Sequence, residues 1–86
     1  MEFEFDPAKS MSNLVKHGIS FNDAKQLWRD PNLLVIRTKQ ATEPRWVAIA
    51  CMEAKHWSTV FTYRGGRIQI ISARRSRPKE IALYEG

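Results

Sequence analysis

The apolar positions change period once along the chain, near residue 33, and that change separates a helical part from a strand part. Phe3-Glu4-Phe5 alternates like a short strand. Asp6-Pro7 then supplies an N-cap with proline at the first helical position. Ala8, Met11, Leu14 and Val15 recur at helical spacing, which predicts a helix to about Lys16 with one apolar face. His17 falls at its C-cap and Gly18 at the next position, where a left-handed residue is wanted, with Ile19 placed to touch Leu14. Ser20 opens a second helix, with Asp23 as its capping-box partner, Ile19 as staple against Ala24, and Phe21, Ala24, Leu27 and Trp28 as the buried face. Asp30-Pro31 ends it.

Beyond that point β-branched and aromatic residues take over, in the runs Leu33–Arg37, Trp46–Cys51, Trp57–Arg64 and Arg67–Arg74. Gly65-Gly66 has the length and composition of a two-residue hairpin turn between the last two. A short final helix begins near Pro78, capped by Ser76 or Arg77, and carries Ile81 and Tyr84 toward the core. The predicted order is (β)ααββββα, an α+β domain with an antiparallel sheet, two N-terminal helices packed on it and a short C-terminal helix. Eighty-six residues without repeat or linker make one domain, residues 1–86.

Charge changes the picture from fold to function. The net charge is +5, and it is unevenly spread. Residues 1–30 are nearly balanced, whereas residues 64–79 hold Arg64, Arg67, Arg74, Arg75, Arg77 and Lys79 with no acid. Arginine engages phosphate bidentately and stacks on bases, which points to a polyanion, RNA in particular. A solvated, aggregation-resistant sheet edge would show the same charge. The single cysteine, Cys51, cannot form an internal disulfide, the acidic start is unlike a signal peptide, and no apolar run approaches a membrane span. These features favour the cytoplasm and no membrane.

Candidate chemistry is sparse. His17, His56 and Cys51 have no metal-ligand spacing, so no metal or other cofactor is expected. Gly65-Gly66 lacks the Lys-Ser/Thr of a phosphate loop and reads as a turn. Lys16-His17-Gly18 has two readings, a proton carrier beside a cation or a helix end whose cations suit its dipole. Strict alternation puts Arg67, Gln69, Ile71, Ala73 and Arg75 on one face of the last strand and Ile68, Ile70, Ser72 and Arg74 on the other. Trp57, Thr59, Phe61 and Tyr63 share a face of the preceding strand. Trp46 and Tyr63 each adjoin an arginine and are the aromatics best placed to stack on unpaired bases.

Phe5-Asp6-x-x-Lys9, Asn13-x-x-Lys16-His17-Gly18-Ile19-Ser20-Phe21 and Ala24, then Arg45-Trp46-Val47-Ala48-Ile49 and Tyr63-Arg64-Gly65-x-Arg67-Ile68-x-Ile70-Ile71-Ser72-Ala73-Arg74-Arg75, resemble in order the BrnT family of bacterial type II toxins. The resemblance implies a RelE-like ribonuclease fold, RNA cleavage that stops translation, and a cognate antitoxin with a ribbon-helix-helix DNA-binding domain. It further implies a toxin–antitoxin heterotetramer that reaches operator DNA only through the antitoxin. Cleavage without metal needs the 2′-hydroxyl to attack its own phosphate while cations stabilise the developing charge. Arg45, Arg74 and Arg75 are the candidates for that stabilisation, His17, Lys16 and Glu80 for proton transfer, and Arg64, Arg67, Arg77, Lys79, Trp46 and Tyr63 for RNA contact. The alternative is a non-catalytic RNA- or antitoxin-binding module that acts as co-repressor of its own operon. Direct DNA reading is weaker, because the second helix offers only Asn22, Lys25, Gln26 and Arg29.

Overall fold

The computed structural model describes residues 1–39 and 42–86. In chain order the elements are β1 (Phe3–Glu4), α1 (Pro7–His17), α2 (Phe21–Ala24) running into a 3₁₀ turn (Lys25–Arg29), β2 (Leu34–Arg37), β3 (Trp46–Met52), β4 (Lys55–Arg64), β5 (Arg67–Arg75) and α3 (Pro78–Glu85). The α+β class is the expected one. The sheet, however, is mixed and not purely antiparallel: its order is β1-β5-β4-β3-β2, and β1 runs parallel to β5. A parallel pairing needs a long connection, and here everything from α1 to β4 lies between the two partners.

The local signals act where the sequence puts them. The Asp6 carboxylate accepts from the Ala8 N–H at 2.8 Å and the Ser20 hydroxyl from the Asp23 N–H at 3.0 Å. Gly18 closes α1 at φ 79°, with its N–H donated to the Leu14 carbonyl. Gly65 and Gly66 both take positive φ, as a tight hairpin of this hand requires. Glu53 and Ala54 do the same between β3 and β4 without being glycine, a strained turn that the sequence does not announce.

Two features depart from simple periodicity. The apolar side of α1 is not its buried side. Met11, Leu14 and Val15 are exposed, while Ser10 and Asn13 face the interior. There the Ser10 hydroxyl accepts from the Phe21 N–H, and Asn13 donates to the carbonyls of Ile19 and Ala73 and accepts from the Ala73 N–H. The helix is held to the domain by hydrogen bonds where a hydrophobic stripe would normally do it.

The second departure is a bulge in β5. Val60 pairs with Ser72 but the next residue, Phe61, pairs with Ile70, so Ile71 has no partner on β4. Alternation is therefore reset: Ile68, Ile70 and Ala73 all join the core with Ile19, Phe21, Leu27 and Phe61. Gln69, Ile71, Ser72 and Arg74 are left to line the opposite face. The helices divide accordingly, α1 and α2 covering the core face and α3 lying across the other, where Glu80 bonds Ser58 and Arg74. Tyr84 donates to Asp30, which also accepts the Cys51 N–H, and fixes the far end of α3. That hydrogen bond pushes Tyr84 up to about 12.

Candidate nucleic-acid interface

Because the bulge and α1 meet at Ile71, three hollows run together across the open sheet face. The largest, about 520 Å³, lies between β2, β5 and α3 and is lined by Thr38, Arg45, Ser72, Arg74, Arg77 and Glu80 among others. A second, bordered by Arg45, Arg64, Gln69 and Lys9, opens on one side. A third, bordered by Lys9, Lys16, His17 and Ser72, opens toward the end of α1. Arg45 is shared by the first two, Lys9 by the last two, and Ile71 by all three. The result is one groove with six cationic side chains, Lys9, Lys16, Arg45, Arg64, Arg74 and Arg77, and with Asp6, Glu43 and Glu80 as its acids.

Among the described residues, Arg74 is the one of these cations held in an ion pair. Both of its terminal nitrogens reach Glu80, at 2.8 and 2.9 Å, in the parallel fork that guanidinium and carboxylate favour. Glu80 also accepts from the Arg77 N–H, which caps α3, and from the Ser58 hydroxyl. Arg74 in particular lowers the Glu80 carboxyl to about 2, and the same hydrogen bond raises Arg74. A carboxyl so acidic is a weak proton acceptor near neutral pH. It is well suited to hold a guanidinium in one orientation.

Since the folded-state value of Glu80 lies below its ordinary value near 4.5, the clamp stabilises the fold fully above about pH 4.5 and progressively less as pH falls toward 2. Melting temperatures of the wild type and Glu80→Gln are expected to differ at pH 6–7 and to converge through that acid window. A difference unchanged down to pH 2 would count against the clamp.

Arg45 has a different environment. Its Nε is buried and has no hydrogen-bond partner among the described residues, and neither does the nearby Thr38 hydroxyl. Both line the largest hollow. Unsatisfied polar atoms of this kind are costly in a dry interior, and an anion entering the hollow would relieve them.

The other sequence candidates are distributed around the molecule. Lys16 and His17 reach the groove from the end of α1, Arg64 from β4 and Arg77 from the start of α3. Arg75 does not: it sits on the core side of β5 with its guanidinium 5.5 Å from the Trp57 ring. Arg67 is paired with Glu2 and Glu4 along β1. Trp46 and Tyr63 pack on each other and on Phe61, also on the core side, and Trp46 carries Arg37 over its ring. Lys79 is exposed on α3. Lys9 is the groove residue that sequence reasoning passed over. It stands in the first of the family motifs, Phe5-Asp6-x-x-Lys9, but nothing in its spacing links it to arginines more than thirty positions away, so its place beside them comes from the fold.

Comparison with known families bears on the whole chain. Residues 5–80 match the family described as ribonuclease toxin, BrnT, of type II toxin-antitoxin system. The chain belongs to the BrnT family. The match covers every residue that lines the three hollows, and the membership carries two consequences: the protein is a ribonuclease toxin of a type II system, and such a toxin has an antitoxin partner. No individual curated protein matches this BrnT chain. Among the described residues of the toxin no helix is long and apolar enough to cross a membrane, and no three His, Cys, Asp or Glu side chains gather as metal ligands.

Proposed function

We propose that this toxin is an endoribonuclease whose active centre is the groove between α1, the β5 bulge and α3, and that it cuts RNA by transesterification without a metal ion. The observation that carries the reading is that the hollow lined by Arg45, Arg74 and Arg77 adjoins the one lined by Lys16 and His17, the two sharing Ile71 and Ser72. The RNA backbone lies along the groove with one phosphate against Arg74 and Arg45. The 2′-oxygen attacks the adjacent phosphorus, the bond to the 5′-oxygen breaks, and a 2′,3′-cyclic phosphate and a free 5′-hydroxyl result. Guanidinium groups stabilise the charge that builds on the non-bridging oxygens. His17, with Lys16 beside it, takes the 2′-hydroxyl proton and returns one to the leaving oxygen. Glu80 acts as a positioning residue for Arg74. Arg64 and Lys9 track the backbone on either side.

On the family's pattern the reading extends to a RelE-like relationship, arrest of translation in the cytoplasm, and an antitoxin of ribbon-helix-helix type. That antitoxin forms a heterotetramer with the toxin and supplies all contact with operator DNA. The test is direct. Purified toxin at substoichiometric amounts, in excess EDTA and with or without translating ribosomes, is expected to shorten an oligoribonucleotide to products ending in cyclic phosphate. A 2′-deoxy substitution at the cut position is expected to block that cut. Retarded but uncut RNA under both conditions would replace the nuclease with the non-catalytic binding module.

A further inference from the structure

We infer that the exposed apolar stripe of α1 is the docking surface for the antitoxin, which seats an amphipathic helix there with acidic side chains along the flank nearest the groove. The inference rests on membership of a toxin–antitoxin family, which supplies the partner but not its place on this chain. Met11 and Val15 are 62% and 83% exposed, and Leu14 is exposed beside them. At 100° per residue these three and Ala8 occupy an arc of about 120°, the width of a helix-packing face. A helix in a small domain normally turns such a face inward. This one turns Ser10 and Asn13 inward, so its apolar side has no partner within the described residues. The other exposed apolar side chains, such as Val35, Tyr63 and Leu83, are scattered over separate elements.

Charge selects the occupant. Going round α1 from the stripe toward the groove, Ser12 comes first and then Lys16 and Lys9, two lysines that make no ion pair among the described residues and border the hollow beside His17. A second copy of this chain would set those lysines, and a net charge of +5, against their equals. An acidic amphipathic helix would bury Met11, Leu14 and Val15 and pair with both lysines at once. Its flank would then stand over the rim of the third hollow. Inhibition follows by obstruction at one end of the groove, without insertion between Arg45 and Arg74.

Calorimetric titration of the full-length toxin with the antitoxin encoded beside it tests this. Met11→Glu/Val15→Glu is expected to weaken binding about 30-fold or more, to melt close to the wild type because both positions are exposed, and to cut RNA at the wild-type rate. Lys9→Glu/Lys16→Glu is expected to weaken binding and flatten its salt dependence. Binding of Met11→Glu/Val15→Glu within threefold of wild type would overturn the surface while leaving the family reading in place. Wild-type toxin alone sedimenting as a dimer that the same double substitution splits would assign the stripe to self-association and overturn the proposal. Wild-type toxin that fails to bind the antitoxin at all would remove the partner reading and the proposal with it.

Discussion

Replacing Arg74 with alanine is expected to lower RNA cleavage by about 10²–10³-fold, the usual cost of removing one preorganised donor to a developing charge. Arg75→Ala is expected to stay within about threefold, because an exposed cation on the wrong face contributes little. The two residues are neighbours in sequence and both are arginine, so charge counting treats them alike. Their surroundings do not. Arg74 is held in the groove by a two-pronged bond to Glu80, whereas Arg75 lies over Trp57 on the core side. Arg74→Lys is expected to recover only part of the activity, since an ammonium cannot hold Glu80 and a phosphate with the same fork geometry. Arg74→Ala also strands the Glu80 carboxylate, so the assay belongs well below the melting temperature of that variant. Equal losses in Arg74→Ala and Arg75→Ala would show that the groove is not the cutting site.

Asn13→Leu is expected to cost about 3–5 kcal/mol of stability, enough to lower the melting temperature by more than about 10 °C. Leucine has nearly the same size, so the loss isolates the amide. β1 pairs with β5 only at Ile68 and Gln69. Among the described residues, the outer edge of β5 beyond the bulge has no neighbouring strand. Asn13 takes that role, its carboxamide accepting the Ala73 N–H at 3.2 Å and donating to the Ala73 carbonyl at 2.9 Å, as a peptide group of an adjacent strand would. It also donates to the Ile19 carbonyl at 2.7 Å and so fastens the corner between α1 and α2. Leucine there leaves three buried backbone groups unsatisfied. Urea midpoints measure the cost, and a loss under 1 kcal/mol would mean that water replaces the amide.

These two effects are connected through the bulge. Asn13 fixes Ala73 from one side while Ile71, two residues earlier, is turned out into the groove, and Arg74 follows directly. Loosening that segment is therefore expected to cost cleavage as well as stability, even though Asn13 itself borders only the third hollow. The proposed cutting end is built on an edge of sheet pinned by a helix that contributes hydrogen bonds on its inner side. Its outer side stays available to a partner.

Much of this was legible in the residues. Capping signals placed α1, α2 and α3, because an Asp-Pro or a Ser with an acid three residues on acts within one turn and needs no tertiary help. Gly18 and Gly65-Gly66 marked their turns through the backbone angle they alone take cheaply. The family was legible too, from ordered motifs across nearly the whole chain. The face of Arg74 was not, since a bulge arises from how two strands and a helix fit and shifts every later side chain by one. Nor was the inward side of α1, since periodicity finds an apolar stripe but not which way it points.

The sequence alone determined the composition of the site: a basic, arginine-rich C-terminal third, a Lys-His pair at a helix end, and a family of ribonuclease toxins. Only tertiary structure decided the arrangement. It brought Lys9, Arg45 and Arg74 to one groove, bound Glu80 as a clamp, sent Arg75 and Trp46 to the other face, and left Met11 and Val15 uncovered. The physical reason is range. Caps and turns act between residues a few positions apart, whereas a groove is made by contacts such as Asn13 with Ala73, sixty residues distant, whose energy no local pattern encodes.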